Sequence, residues 1–147
     1  MALALEEAKA AAEEGEVPVG AVVVQGDVVV ARAHNRREAL ADPTGHAEIL
    51  VLREAGKRLG RWRLADCTLY VTLEPCPMCA AAAAEARIRR IVFGASDPRR
   101  GGVGSLLHVP EALGASMEVI GGVAEEEAGE ILREFFQSRR ADERHGF

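Results

Sequence analysis

Apolar residues along this chain recur at helical spacing in some segments and form continuous β-branched runs in others. Leu3, Leu5, Ala8 and Ala12 form a stripe of approximately helical spacing and predict a first helix. The run 67–73 is apolar almost throughout, which predicts a strand near the centre of a sheet. The full pattern predicts helix 2–14, strand 17–24, strand 28–33, helix 46–58, strand 67–73, helix 78–86, strand 90–95, strand 116–120 and helix 124–140.

Glycine, proline and polar clusters mark the connections between these elements. Gln25-Gly26-Asp27 predicts a hairpin turn, and the polar stretch 34–45 predicts a loop. Residues 96–115 predict a second long loop with one short turn near 105–108, and the tail 141–147 is expected to fray. Strands that alternate with helices indicate an α/β protein, here a three-layer α/β/α sandwich with a mixed five-stranded sheet. We expect residues 1–147 to form a single domain.

Composition and charge exclude some classes of function. Of the 147 residues, 48% are hydrophobic and 28% charged, and no apolar run approaches the roughly 20 residues of a membrane span. An acidic N-terminus and three cysteines favour the cytoplasm. The net charge of −5 weighs mildly against a nucleic-acid partner, but basic residues cluster at 87–90, 99–100 and 139–140. A locally basic face therefore remains compatible with RNA; neither DNA nor a membrane is expected as a partner.

Three side chains of the chain predict a metal site. Cys76 and Cys79 are three residues apart at the start of a predicted helix, and His46 begins another helix thirty residues earlier. Zn²⁺ prefers such nitrogen and sulfur ligands, and a structural site closes all four positions with protein. Only three good ligands are evident, which leaves the fourth position for water and predicts one catalytic zinc ion per chain.

Glu48 adds the acid that hydrolytic zinc chemistry requires. A carboxyl group beside a zinc-activated water can take up its proton and deliver it to a leaving group. A lone C-x-x-C fits a redox or structural site equally well. Together, His46-Ala47-Glu48 and Pro75-Cys76-Pro77-Met78-Cys79 match the H-x-E and P-C-x-x-C signature of zinc deaminases.

Flanking segments extend this match to nearly the whole chain. They include Glu16-Val17-Pro18-Val19-Gly20-Ala21, Asp42-Pro43-Thr44-Gly45-His46, Ala65-Asp66-Cys67-Thr68-Leu69-Tyr70, Ile91-Val92-Phe93-Gly94-Ala95 and Phe135-Phe136. With them, the chain resembles the bacterial tRNA-specific adenosine deaminases of the cytidine/deoxycytidylate deaminase superfamily. The resemblance implies a cytidine deaminase-like fold, a homodimer, and conversion of the wobble adenosine of a tRNA anticodon stem-loop to inosine.

The same resemblance implies roles for individual residues. His46, Cys76 and Cys79 would hold zinc, Glu48 would carry the proton, and Asn35 would hydrogen-bond the flipped base. Contacts to the anticodon loop would come from Asp97, Phe135, Phe136, Arg139 and Arg140. This sequence departs from the family pattern at Gly45, at Arg99-Arg100 and in a shortened segment after Ser105, which bears on tRNA preference rather than on the chemistry.

Other interpretations of these residues stay open at this point. Asn35 also fits the cap of a turn, Phe135 and Phe136 fit core packing, and Glu74 fits either a partner of the zinc ligands or a simple strand end. A deaminase of free guanine, cytosine or a cytidine nucleotide would share every residue of the zinc site. A zinc-stabilised RNA-binding scaffold is disfavoured by Glu48, because a purely structural site needs no proton carrier.

Overall fold

The chain folds around one mixed sheet, as seen in a computed structural model that describes residues 1–145. Strands lie in the order β2-β1-β3-β4-β5. The elements are α1 (Ala2–Glu13), β1 (Gly20–Gln25), β2 (Val28–His34), α2 (Arg37–Leu40), α3 (Ala47–Leu59), β3 (Cys67–Leu73), α4 (Pro77–Glu85), β4 (Arg90–Ala95), α5 (Val109–Ala112), β5 (Glu118–Ile120) and α6 (Glu125–His145).

Strand direction within the sheet determines where the site lies. β1 pairs antiparallel with β2 and β3, whereas β3, β4 and β5 run parallel to one another. The carboxyl ends of β3 and β4 therefore meet at one edge of the sheet. In sheets of this kind, ligands bind outside the carboxyl ends of the strands.

Helices cover the sheet and bury its alternating apolar positions. Val23, Leu69 and Ile91 lie in register on adjacent strands and pack in one core with Val51 of α3. Helix α1 packs against α6 and approaches β1 so closely that a Cβ at Gly20 would overlap backbone atoms of α1. The predicted α/β/α architecture and mixed five-stranded sheet are confirmed.

Several element boundaries differ from the predictions. β1 begins at Gly20 rather than at residue 17, because Pro18 has no N–H to donate to a strand ladder. The predicted loop 34–45 contains the one-turn helix α2. The short turn predicted near 105–108 lies at 104–105, between the bridged residues Val103 and His108, and the one-turn helix α5 at Val109–Ala112 was not predicted. β5 is shorter than predicted and covers Glu118–Ile120.

Helix α6 also contradicts the predicted fraying of the tail. It continues to His145, because no glycine or proline interrupts the sequence between Gly129 and that residue. Residues 146–147 lie outside the described part of the chain. Among residues 1–145, no helix is both long and apolar enough to cross a bilayer.

Candidate metal centre and active site

The three predicted metal ligands lie at the N-termini of two helices. His46 directly precedes α3 and Cys76 directly precedes α4, both with extended backbone. Pro77 occupies the first position of α4, where its missing N–H is not needed, and Cys79 lies in the first turn. Helix N-termini carry partial positive charge, which favours thiolate over thiol.

The separations of the donor atoms fit a tetrahedral zinc ion. Nδ1 of His46 lies 3.6 Å from Sγ of Cys76 and 3.4 Å from Sγ of Cys79. Zinc–nitrogen and zinc–sulfur bonds of about 2.0 and 2.3 Å at a tetrahedral angle place such atoms about 3.5 Å apart. Within residues 1–145, no fourth histidine, cysteine or acid joins this group. The donor set is therefore compatible with a zinc ion that has one coordination position left for a ligand other than protein.

Hydrogen bonds among the three candidate ligands shift their pKa values. The Cys79 thiol, and then His46, lower the pKa of Cys76 to about 4. The hydrogen bond to Cys76 and burial raise the pKa of Cys79 far above its ordinary value, while the hydrogen bond with Cys76 raises the pKa of His46. The pKa of Cys76 is thus lowered, while those of Cys79 and His46 are raised. A divalent cation would displace protons from these groups, because only deprotonated groups bind metal.

Glu48 lies beside these ligands on the first turn of α3. Its side chain is only 4% exposed, and burial raises its pKa to about 7. A group that transfers protons works best when its pKa lies near the operating pH. Glu48 therefore lies beside the donor set without belonging to it, and its role in proton transfer stays a prediction.

Asn35 connects the end of β2 to the start of α3. It is buried, and its Oδ1 accepts a hydrogen bond of 2.9 Å from the backbone N–H of Ala47. Its Nδ2 has no acceptor within the described chain and lies in a side chain that lines the adjoining cavity. The capping interpretation is therefore correct for Oδ1, and Nδ2 stays available to a ligand.

A cavity of about 420 Å³ opens at the carboxyl ends of β3 and β4. Six predicted site residues line it: Asn35, His46, Glu48, Cys76, Asp97 and Phe136. Arg99 and Arg100 lie at its rim, as does Arg37 of α2, which sequence reasoning missed. The only sequence signal for Arg37 is its position two residues after Asn35. No ion pair involves these three exposed arginines among the described residues.

Three predicted RNA-contact residues lie outside the cavity lining. The guanidinium group of Arg139 lies 4.8 Å from the ring centre of Phe135 and donates a hydrogen bond to the carbonyl of Gly15. Phe135 packs edge-on against Phe136 with ring centres 5.4 Å apart. Phe136 alone of the two lines the cavity and is 43% exposed. Arg140 is exposed further along α6. RNA contacts by Phe135, Arg139 and Arg140 stay predictions.

Two buried carboxylates hold the loops that form the cavity walls. Glu16 accepts hydrogen bonds from the amides of Glu38 and Ala39 and so holds α2. Glu74, at the end of β3, accepts hydrogen bonds from residues of the loop after β4. Burial alone would raise the pKa of Glu74, but the hydrogen bonds from Ser105 and backbone amides hold it below its ordinary value. The sequence signal available for Glu16 and for Glu74 was an acidic residue directly next to an apolar strand segment.

Comparison with known proteins places this site among deaminases. Residues 1–140 match the family model described as MafB19-like deaminase. A tRNA-specific adenosine deaminase of Bacillus subtilis is 51% identical over 93% of this chain and 86% of its own length. Its counterpart from Agrobacterium fabrum is 50% identical over 97% of this chain and 95% of its own length. A solved structure from work on A-to-I editing by tRNA:A34 deaminases shares 50% identity, covers 90% of this chain and 97% of that chain, and has a TM-score of 0.87.

Proposed function

Because this chain belongs to the family of tRNA-specific adenosine deaminases, we propose that it converts the wobble adenosine of a tRNA anticodon loop to inosine. The reaction is a hydrolytic deamination in which water supplies the new oxygen and ammonia leaves. The cavity carries this proposal, because it joins a His/Cys/Cys donor set and a buried acid to a rim of exposed arginines.

His46, Cys76 and Cys79 would hold zinc, which, when bound, activates water for attack at neutral pH. Glu48 takes up the proton of the attacking water as the oxygen bonds to C6 of adenine. Glu48 then delivers a proton to the exocyclic nitrogen, and the C6–N6 bond breaks to release ammonia. Its carboxyl group can serve in both directions because it lies beside the donor set without being a ligand, and burial raises its pKa above the ordinary range.

Asn35 orients the base in this scheme. Its Oδ1 is engaged by the Ala47 amide, so Nδ2 is the group left to donate to an acceptor nitrogen of the purine. The surrounding apolar wall, with Val19 and Leu73, suits the flat faces of a base. A base that enters this cavity must be flipped out, which costs least in an already single-stranded loop.

The rim distinguishes an RNA substrate from a free base. Arg37, Arg99 and Arg100 are exposed, and Phe136 presents part of its ring beside them. Arginines bind phosphates, and exposed aromatic rings stack with neighbouring bases. A free base would leave these cations without a partner. We therefore favour a polynucleotide over guanine, cytosine or a free nucleoside.

We also propose that two copies associate through the α3–α4 side of the molecule. Helix α4 is rich in alanine, which permits close approach of a second helix. Beside it, Trp62 is 63% exposed and forms an apolar groove with Leu52, Leu64 and Ala82. A dimer would cover this ring. Residues 1–147 would act as one deaminase domain in the cytoplasm, where tRNA is found.

One comparison tests the substrate assignment. Zinc-loaded protein is incubated with an anticodon stem-loop or with free adenosine, guanine or cytidine, and inosine and ammonia are measured. We expect turnover of the stem-loop alone, with Glu48→Ala as the inactive control. If the three rim arginines each contact one phosphate, log Kd should change with log salt by about 0.7 per contact, or roughly 2 in all. Turnover of a free base or nucleoside, with none of the stem-loop, would contradict the assignment.

Light scattering tests the dimer. A dimer mass at micromolar concentration is expected, and Trp62→Glu should shift the population toward monomer by placing a charge in the contact. A monomer mass for the unaltered chain would refute the association.

A further inference from the structure

Glu74 lies at the centre of a hydrogen-bond network that shapes one wall of the cavity. The carboxylate is only 2% exposed, yet it belongs neither to the donor set nor to the proton path. It accepts hydrogen bonds from the amides of Asp97 at 3.1 Å, Val103 at 3.3 Å and Ser105 at 3.1 Å, and a further one from the Ser105 hydroxyl. One carboxylate thus holds both ends of the segment 97–105.

The network continues from Asp97 to the rim arginines. The Asp97 carboxylate accepts hydrogen bonds of 3.1 Å from the backbone amides of Arg99 and Arg100. Gly101 completes the turn by donating to the Asp97 carbonyl at 2.8 Å. The positions of both arginine backbones therefore depend, through Asp97, on the carboxylate of Glu74.

Gly101 leaves the space that this carboxylate occupies. A Cβ at residue 101 would overlap the carboxyl atoms of Glu74. The backbone of Gly101 is not in the left-handed region, so alanine there is excluded by the carboxylate and not by the conformation. Glu74 can therefore keep its position only if residue 101 has no side chain.

We propose that Glu74 is a positioning residue for RNA: it fixes loop 97–105 so that Arg99 and Arg100 face the substrate at the cavity rim. This inference rests on the proposed function and adds a specific determinant of RNA affinity to it. Glu74 acts through the loop and does not itself touch the reacting atoms.

Glu74→Gln tests the network with almost no change of shape. The amide nitrogen of glutamine cannot accept a hydrogen bond, so at least one loop donor loses its partner. We expect Kd for the stem-loop to rise about tenfold, with kcat at saturating RNA changed less than about threefold and zinc content unchanged. Amide hydrogen exchange at Asp97, Val103 and Ser105 should accelerate in the same variant without RNA.

Gly101→Ala perturbs the same contact from the opposite side. Its Cβ should displace the carboxylate and reproduce the effects of Glu74→Gln on exchange and on Kd. In Glu74→Ala/Gly101→Ala, the space left by the carboxylate accommodates the new methyl group. The loss of affinity should therefore be smaller than the sum of the losses in the single variants Glu74→Ala and Gly101→Ala, which is the signature of direct coupling.

Val23→Ala serves as the matched control for stability. Val23 is fully buried in β1 and pairs with Leu69 in β3, away from the end of that strand which Glu74 follows, so its truncation lowers the melting temperature without touching the loop or the rim. If Glu74→Gln lowers the melting temperature as this control does but leaves Kd unchanged, Glu74 is merely structural and the inference is wrong. Unchanged amide exchange in the loop would overturn it as well.

The exchange measurement also separates the two proposals. Absence of stem-loop turnover by the unaltered protein would refute the proposed substrate, whatever the loop does. Faster exchange in Glu74→Gln with unchanged RNA affinity would refute the positioning role while leaving the substrate assignment standing. Faster exchange and weaker RNA binding in Glu74→Gln, together with stem-loop turnover by the unaltered protein, support both.

Discussion

Replacing Asn35 by aspartate separates two roles that one amide side chain combines. Oδ1 accepts the Ala47 N–H at 2.9 Å, and Nδ2 is left for the base. Aspartate keeps an acceptor for Ala47, at a helix N-terminus where negative charge is favourable. It removes the donor and presents an acceptor to the purine nitrogen instead. Asn35→Ala, by contrast, removes both functions.

The expected magnitudes follow from these contacts. In Asn35→Ala, the buried Ala47 amide loses its partner, which costs about 1–3 kcal/mol. For a chain of this size, each kcal/mol lowers the melting temperature by about 2–4 °C. In Asn35→Asp we expect a smaller decrease in melting temperature, because the carboxylate still accepts the hydrogen bond of Ala47. Both variants should lose about 1.4 kcal/mol or more of transition-state binding, which is about a tenfold fall in kcat/KM.

Calorimetry of the zinc-loaded proteins and inosine formation on the stem-loop measure the two effects separately. Glu54→Gln is the control, because within residues 1–145 Glu54 makes only an exposed ion pair with Arg58 and its replacement should alter neither quantity. An Asn35→Asp variant as active as the unaltered protein would refute base recognition by Nδ2. An Asn35→Ala variant of unchanged melting temperature would refute the stabilising role of Oδ1.

Three further predictions concern proton transfer, metal and pH. Glu48→Ala should abolish turnover but retain one zinc per chain, because Glu48 lies outside the donor set; an active variant would require another proton carrier. Cys79→Ala should lose zinc and lower the melting temperature together, since metal binding is coupled to folding; elemental analysis with calorimetry checks this, and retained zinc would contradict the ligand assignment. Hydrogen bonds from Gln25 and Arg61 hold the pKa of Asp66 below its ordinary range. These hydrogen bonds therefore stabilise the folded protein fully at pH values above the unfolded-state pKa of Asp66, about 3.9. The stabilisation is lost as the pH falls toward the lower pKa that Asp66 has in the folded protein. Asp66→Asn should lower the melting temperature at pH 7 by more than at pH 3, and an equal decrease at both would refute the argument.

Periodicity predicted most of the fold because it reflects burial within a single element. The stripe of α1 and the apolar run of β3 each identify a segment without reference to the rest of the chain. It missed α2, a single turn too short to show a helical period, whose backbone is held from outside by Glu16. The same pattern placed the start of β1 too early, at residue 17. The valines around Pro18 favour a strand, but Pro18 has no N–H to donate to a neighbouring strand.

The sequence by itself determined the chemistry of the site. Cys76 and Cys79 are three residues apart and so lie close together at the start of α4, while Glu48 is only two residues from His46. Only the tertiary structure decided which residues surround that chemistry. Glu74 meets its hydrogen-bond donors 23 to 31 residues further along, and Phe136 rather than Phe135 reaches the cavity. Covalent spacing determines neighbours within a turn, whereas contacts between loops depend on how the packed sheet and helices route the chain.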